Sequence, residues 1–316
     1  MLQAYPAVES AAHHKAAQPV WIDCHDPSEE EVKEVARRFH LQVPARQLLE
    51  EIESSSRLRA EDHALFLSMP LPDLTHPNAM VPFGFVLTPE RLLTVRYSEP
   101  RALAEFRRRL DKLTGAPTSA EVFATLVESM IDFAADTLEK LAAELAQVSG
   151  QVFVRHRGKR ERRMRLNRRL RDTLCGVGET GEQLSRIRES ILALQRITVF
   201  VGDSATWLQA EVRKRLKTAR QDLDSLVDFE SHLSGKSQFL LDATLGFINT
   251  EQNDMFKVLT IASVVGIPPT LIASLYGMNF QHMPELAWRY GYVYGLTLIV
   301  VSTVVPIAWF KWRGWW

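Results

Sequence analysis

VLTIASVVGIPPTLIASLY, residues 258–276, and YGYVYGLTLIVVSTVVPIAWF, residues 290–310, are the two segments that decide the fold of this 316-residue chain. Neither segment contains a charged residue, and the first charge after the second segment is Lys311. A helix rises ~1.5 Å per residue and needs about 20 apolar residues to cross a hydrocarbon core of ~30 Å. Because both segments come close to that length or exceed it, we predict two transmembrane helices rather than buried core helices.

The charges that flank these spans predict their orientation. Lys257 precedes the first span, and Lys311 and Arg313 follow the second, whereas the short loop between them holds Glu285 and Arg289. Cytoplasmic flanks carry the excess of Lys and Arg, so both termini are expected in the cytoplasm. The first twenty residues contain no apolar run of signal-peptide length. We therefore expect a multi-pass protein of the plasma membrane, the inner membrane in a bacterium.

The region before the spans changes character near residue 118. Short apolar runs bounded by Pro and Gly indicate a mostly antiparallel sheet with a few helices, and later residues follow helical spacing almost throughout. The fold class is an α+β membrane protein with a cytoplasmic α/β sandwich, a long helical stalk and two C-terminal spans. The predicted divisions are an α/β domain (1–117), an antiparallel helical hairpin (118–203), a stalk helix (204–257), the first span (258–276), an external loop (277–289), the second span (290–310) and a cytoplasmic tail (311–316).

Composition and motifs exclude several classes of protein. Lys and Arg (38) balance Asp and Glu (38), and two cysteines are too few for a disulfide scaffold. Gly176, Gly178 and Gly181 match G-x-G-x-x-G, but the preceding segment is helical rather than a strand, so a dinucleotide site is not expected. No pairing of a nucleophile with a base is visible. We expect no enzyme and no required cofactor.

A basic run at residues 155–171 holds ten Lys and Arg and one acid. It is either a solvated helical tip or a contact for anionic membrane lipids. Nucleic acid is not expected as a partner, because no aromatic residues are interleaved for base stacking.

Polar and small residues of the first span share one helical face, at spacings of three and four. Such a face suits either a water-lined pore or tight helix packing, and the spacing alone leaves both open. Pro268 and Pro269 in the middle predict a kink or local unwinding. The residues of this face are Asn253, Phe256, Leu259, Ser263, Ile267, Thr270, Ser274 and Gly277.

The first span ends at Tyr276-Gly277-Met278-Asn279. In a ring of copies, the amide oxygens of Asn279 would surround one axis. Mg²⁺ prefers oxygen ligands and loses water reluctantly, so such a ring could hold it through its waters. Glu285 would add negative potential at this outer mouth.

These residues resemble the CorA magnesium transporter family. The resemblance lies in Tyr276–Phe280, the Met283–Leu286 loop, Gly246–Asn249, Glu251–Asn253 and Pro268–Thr270, and it covers about the last 75 residues strongly. It implies a homopentamer with five pore helices and a cytoplasmic α/β funnel. It further implies uptake of Mg²⁺, with Co²⁺ and Ni²⁺ as co-substrates.

The resemblance also implies roles for individual residues. Gly277, Met278 and Asn279 would form the selectivity filter, Thr270 the mid-pore and Asn253 the inner mouth. The hydrophobic gate positions would be Phe256, Leu259 and Ile267. Family members sense intracellular Mg²⁺ with acidic residues between subunits, for which the candidates are Asp222, Asp224 and Asp73.

We therefore predict a divalent-cation channel whose partners are further copies of itself, divalent cations and membrane lipids, and which internal Mg²⁺ closes. Two alternatives stay open at the level of sequence. One is a zinc transporter of the same architecture, and the other is a membrane-anchored scaffold or sensor without transport.

Overall fold

The computed structural model describes residues 2–5, 19–51, 53, 57–61, 63–73, 79–112, 116–153, 163–279 and 283–315. The side chains of 163–169, 285 and 286 lie outside this description, as does most of the basic run 155–171. The chain divides into two compact units. The first unit comprises Met1–Arg155 and Thr173–Leu241, and the second comprises His156–Asp172 and Asp242–Trp316.

One six-stranded sheet lies at the centre of the first unit, in the order β1-β2-β6-β5-β4-β3. Among the described strands, β2 and β6 pair in parallel and the other pairs are antiparallel, as the short connections between strands predicted. The strands are β1 Leu2–Tyr5, β2 Trp21–His25, β3 Leu58–Glu61, β4 Ala64–Pro72, β5 Met80–Leu87 and β6 Leu92–Arg96.

Seven α-helices and one short 3₁₀ helix complete the described residues. The α-helices are α1 Glu29–Phe39, α2 Arg46–Glu50, α3 Arg101–Leu110, α4 Ser119–Phe153, α5 Arg163–Ser204, α6 Ala210–Tyr276 and α7 Gly291–Trp312, and the 3₁₀ helix is Pro284–Ala287.

Both faces of the sheet are covered, because successive side chains of a strand point to opposite sides. On one face, residues such as Leu67 and Phe85 join a large core with α3, α4, α5 and the first part of α6. On the other face, residues such as Ile22 and Val86 pack against Val35 of α1. This part of the first unit is thus a helix–sheet–helix sandwich.

Two hydrogen bonds between neighbouring residues explain why helix α1 begins after Ser28. The Ser28 hydroxyl accepts a hydrogen bond from the Glu31 N–H (3.3 Å), and the Glu31 carboxylate accepts one from the Ser28 N–H (2.9 Å). This reciprocal cap satisfies two donors that the helix itself leaves unpaired. The hydrogen bond from Ser28 is the main reason why the pKa of Glu31 is lowered.

A buried ion pair connects the parallel strands β2 and β6. Asp23 is 1% exposed and Arg96 is 3% exposed. The Arg96 Nε donates to the Asp23 carboxylate (3.0 Å), which also accepts from the Thr94 hydroxyl (2.7 Å) and from Arg107 (3.3 Å). Both buried charges are therefore paired and hydrogen-bonded, which is the condition for tolerating them in a core.

Helix α6 begins at Ala210 rather than near Ser204, where sequence spacing placed its start. Ser204 is instead the last residue of α5. The Arg213 side chain donates to the carbonyls of Ala205 (3.1 Å) and Thr206 (3.3 Å) in the intervening turn. An arginine that looks like an ordinary helix residue in the sequence thus holds the turn between the helices.

Within the second unit, α6 contacts α7 near the ends joined by the 277–290 connection. A Cβ placed on Gly295 would lie 3.9 Å from Cδ2 of Tyr276, so one edge of the tyrosine ring lies beside this glycine. Both helices are long and apolar enough to cross a membrane. The most apolar stretch of α6 has no buried residues within the chain, which distinguishes it from a core helix of a soluble protein.

Candidate ion pathway

The predicted pore residues from Asn253 to Ser274 all lie on α6, which continues without interruption through Pro268 and Pro269 to Tyr276. Of the two predicted outcomes, a kink or local unwinding, the unwinding is contradicted by this continuous helix. Proline has no N–H, so the carbonyls of Val264 and Val265, four residues earlier, lose their backbone donors. Such carbonyls are tolerated at membrane depth only where protein or water satisfies them. The two carbonyls therefore need either protein or water beside them.

The face of α6 that the residue spacing predicted to line a pore or pack against helices is exposed to solvent in the single chain. Phe256 is 65% exposed, and Leu259 and Ile267 are each 63% exposed. Asn253, Thr270 and Ser274 are also exposed, and Ser263 is half-buried. We call this set of residues the α6 stripe.

The opposite side of α6 is different, since residues half a turn from the stripe are partly covered. Ile261, Val265 and Ile272 are all of intermediate exposure, as is Tyr276, which contacts Gly295 of α7. The back of α6 is thus less exposed than the stripe, although residues outside the stripe such as Val258 (53%) and Leu271 (59%) are exposed as well.

Thr270 shows how a hydroxyl on the stripe is oriented. Its Oγ1 donates to the Gly266 carbonyl at 2.6 Å. A hydroxyl has one donor and two acceptor lone pairs, so this bond uses the hydrogen and leaves the oxygen lone pairs available. The group can therefore accept hydrogen bonds from the waters around a cation.

The C-terminal end of α6 closes at the predicted filter residues. Gly277 N–H donates to the Ala273 carbonyl (3.0 Å) and Met278 N–H to that of Leu275 (3.3 Å). A Cβ on Gly277 would lie 3.2 Å from the Ala273 oxygen, closer than side chains normally approach. Asn279 follows directly and is exposed. Glu285 belongs to the 3₁₀ helix, but its side chain lies outside the described residues.

An ion pair that was not predicted from the sequence lies at the N-terminal end of the apolar span. Lys257 Nζ lies 2.9 Å from Asp254 Oδ1, one turn apart on α6. Opposite charges three residues apart, just before an apolar run, are a signal that could have predicted it. Both side chains are substantially exposed, so the pair contributes little stability.

The predicted regulatory aspartates lie in the first unit. Asp222 and Asp224 are exposed on α6 on either side of buried Leu223, and Asp224 accepts a hydrogen bond from Gln195 of α5. Asp73 follows Pro72, which lines the same small cavity as Leu223. Within the described residues, no group of three His, Cys, Asp or Glu side chains is placed to hold a metal ion. One chain therefore does not bring these aspartates into a complete site.

The glycine motif lies inside α5 rather than in a loop. A Cβ on Gly176 or Gly178 would meet no atom within 4 Å. Gly181 lies near the Ser237 hydroxyl of α6. A helix interior uses its amides in its own hydrogen bonds, so this motif does not offer loop amides to a pyrophosphate.

An α/β domain, a long helix that continues into an apolar span, and a second apolar helix together define a class of membrane transporter. The chain belongs to the CorA family, whose model, described as CorA-like Mg²⁺ transporter protein, matches residues 16–312. Membership of this family of ion transporters confirms the prediction of a cation-transporting membrane protein rather than an enzyme.

Curated relatives and a solved structure agree with this assignment. Magnesium transport protein CorA of Wolinella succinogenes is 33% identical over 322 residues, covering 96% of this chain and 92% of that protein. The protein of the same name from Escherichia coli strain K12 is 30% identical over 302 residues, covering 94% and 92%. The complete structure of the CorA magnesium transporter from Methanocaldococcus jannaschii covers 96% of this chain and 94% of its own, with a TM-score of 0.76 and 18% identity. The last likeness concerns the fold.

Proposed function

We propose that this chain assembles as a homopentamer and conducts Mg²⁺ into the cytoplasm along the α6 stripe. The observation that carries the proposal is the bare stripe on a membrane-length helix, which ends at the exposed amide of Asn279. Five copies would cover each other's stripes and bring five amide oxygens to one axis. Oxygen donors of this kind suit a hydrated Mg²⁺ ion.

Location and orientation follow from the same arrangement. Charges of the spanning segments are confined to their ends, with Lys257, Lys311 and Arg313 on one side. This excess of cations supports cytoplasmic termini and an inner-membrane location in a bacterium. The α/β sandwich would then meet the cytoplasmic Mg²⁺ pool.

The filter is tested by Asn279→Ala in the full-length protein reconstituted into vesicles. We expect the initial rate of Mg²⁺ uptake to fall to the level of protein-free vesicles, because the amide oxygens are removed. Gln209→Ala, which removes an exposed amide before the start of α6, is the matched control and should transport normally. Undiminished uptake by Asn279→Ala would contradict the proposal.

Metal competition separates Mg²⁺ transport from the zinc alternative. The oxygen of Asn279 favours a hard cation, whereas Zn²⁺ prefers sites built with His nitrogen or Cys sulfur. We expect excess external Mg²⁺ to suppress uptake of Co²⁺ and Ni²⁺, and Zn²⁺ to compete poorly. Preferred Zn²⁺ uptake would support the zinc transporter, and the absence of any metal flux would support the scaffold.

Gating by internal Mg²⁺ is the finer part of the proposal. Asp222 and Asp224 project from α6, and Asp73 belongs to the segment beside the same cavity. In an oligomer, these carboxylates could meet those of a neighbouring copy and bind Mg²⁺ that holds the pore closed. Replacing all three by Asn should leave uptake insensitive to a high internal Mg²⁺ concentration. Asp228→Asn, on an exposed position of the same helix, should retain the inhibition.

A further inference from the structure

The end of α7 turns back on itself after Phe310. Trp315 N–H donates to the Phe310 carbonyl (3.1 Å), and Gly314 N–H donates to the Lys311 carbonyl (3.2 Å). Gly314 has φ +70°, a left-handed conformation that glycine adopts without strain. The ring centroids of Phe310 and Trp315 lie 5.4 Å apart. These two hydrogen bonds and this apolar contact make up a complete Schellman cap.

The cap holds aromatic rings and cations in a fixed arrangement. Phe310 is 2% exposed, and the Trp309 ring lies 5.1 Å from it on centroids. The guanidinium carbon of Arg313 lies 5.5 Å from the centroid of the Trp309 ring, within the range of a cation–π contact. Lys311 is exposed, and within the described residues neither it nor Arg313 forms an ion pair. We call Trp309–Trp315 the C-terminal cap.

The position of the cap along α7 matches one surface of a membrane. From the contact between Tyr276 and Gly295, Arg313 lies about 27 Å along α7 at the standard helical rise. Lys257 lies about 28 Å from the same contact along α6. Both distances approach the ~30 Å thickness of the hydrocarbon core. Lys257 is paired with Asp254, so Lys311 and Arg313 supply the unpaired positive charge of the described residues at this level.

The opposite end of α7 provides a comparison within the same chain. Arg289 lies with its guanidinium carbon 5.9 Å from the centroid of the Tyr290 ring. It is the single Lys or Arg in the sequence of the 277–290 connection, which also contains Glu285. Positive charge beside aromatic rings is therefore concentrated at the cap.

We propose that the C-terminal cap binds the phosphate headgroup of an anionic phospholipid in the cytoplasmic leaflet. Lys311 and Arg313 would contact the phosphate, while Trp309 and the 84%-exposed Trp312 lie against the adjacent acyl and glycerol region. Tryptophan is suited to this interface because it has an apolar body and one polar N–H. A lipid fits better than a free phosphate ion, because the cations are surrounded by exposed apolar rings. The inference rests on the proposed membrane topology, but it does not depend on ion conduction.

The test is lipid selectivity measured by electron paramagnetic resonance in vesicles containing the full-length protein. Spin-labelled phosphatidylglycerol and spin-labelled phosphatidylcholine are compared by the fraction of each that the protein immobilises. A cation at a membrane surface is expected to raise association with anionic lipid about fivefold. The unchanged protein should therefore prefer phosphatidylglycerol, and the double variant Lys311→Gln, Arg313→Gln should lose most of that preference.

Two further variants distinguish a lipid site that depends on the geometry of the C-terminal cap from a nonspecific effect of positive charge. Arg289→Gln removes a cation beside an aromatic ring at the other end of α7 and should keep the full preference. Gly314→Pro keeps every charge but cannot adopt φ +70°, so it should lose the preference as the double variant does. Preference that survives in either the double variant or Gly314→Pro, or that is equally lost in Arg289→Gln, would overturn the proposal.

Mg²⁺ flux is measured on the same vesicles as a separate readout. Failure of flux with intact lipid preference would count against the proposed function alone. Loss of lipid preference in the unchanged protein with intact flux would count against the lipid site alone.

Discussion

At the scale of single residues, Gly277 shows how a missing side chain affects the C-terminal end of α6. Its N–H closes α6 onto Ala273, whose carbonyl oxygen would lie only 3.2 Å from a Cβ at position 277. A close approach of this kind cannot be read from a tripeptide motif. The sequence predicted that Gly277 matters through its family resemblance, whereas the structure adds a close contact that a methyl group at this position would tighten.

We predict that Gly277→Ala lowers Mg²⁺ uptake severalfold, because the added methyl must displace the backbone that positions Asn279. Gly235→Ala on the same helix meets no atom within 4 Å and should be neutral or slightly stabilising. Initial uptake rates of the two variants in reconstituted vesicles provide the check. Equal rates would show that the close contact at Gly277 is not important.

The buried pair Asp23–Arg96 predicts a large effect on stability. Asp23→Ala would leave the Arg96 guanidinium buried without its main partner, a loss that typically costs about 3–5 kcal/mol. Glu34→Ala removes an exposed partner of Arg38 and should cost well under about 1 kcal/mol. Heat denaturation of the full-length protein in detergent compares them. A shift for Asp23→Ala no larger than for Glu34→Ala would show that the buried pair is dispensable.

The two cysteines should differ in reactivity. Burial, followed by the nearby charge of Asp23, raises the pKa of the Cys24 thiol to about 12 from its ordinary 9.0, whereas Cys175 is exposed. A maleimide at neutral pH should therefore label one site in the native protein and two after denaturation, as counted by mass spectrometry. Rapid labelling of native Cys24 would contradict its burial.

The raised pKa also predicts a dependence of stability on pH. Above pH 9 the unfolded state loses the thiol proton of Cys24 before the folded state does, so the contribution of Cys24 to stability should decline as the pH rises towards 12.

At the scale of elements, most of the correct predictions from the sequence concern helix α6. Its apolar run and its three-and-four spacing indicated the span and the stripe, since both are properties of one helix. The strands β1 and β3 were missed, because each is a four-residue edge strand with half-buried residues and no clear alternation. The start at Ala210 was missed because the hydrogen bonds of Arg213 that hold the preceding turn leave no signal in the residue spacing.

The orientation of α6 is tested by single cysteines in a background with Cys24→Ala and Cys175→Ser. Cysteines at Ser263, Thr270 and Ser274 should react with a membrane-impermeant thiol reagent, because they lie on the stripe and would face water. Cysteine at Ile272, on the partly covered side, should react far more slowly. Reaction rates are followed by loss of Mg²⁺ uptake and by mass. Equal rates at all four positions would argue against a water-lined stripe.

At the scale of the whole molecule, the number of copies determines whether the α6 stripes can surround a pore. The polar residues of the α6 stripe favour neighbouring copies over lipid, and the family resemblance implies five copies. We predict that native mass spectrometry of the protein released from lipid nanodiscs gives five times the mass of one chain. A monomer or a dimer as the largest species would contradict the proposed pore.

The large core of the first unit includes Leu240, whereas the first apolar run begins at Val258. Strand β2 can pair only after β6 has been synthesised, because its parallel partner lies about seventy positions later in the chain. A ribosome therefore completes every segment of the soluble core shortly before it begins the first membrane segment. The sandwich can therefore fold before the membrane segments are inserted. This order limits non-native contacts between exposed core residues and the apolar helices that are synthesised later.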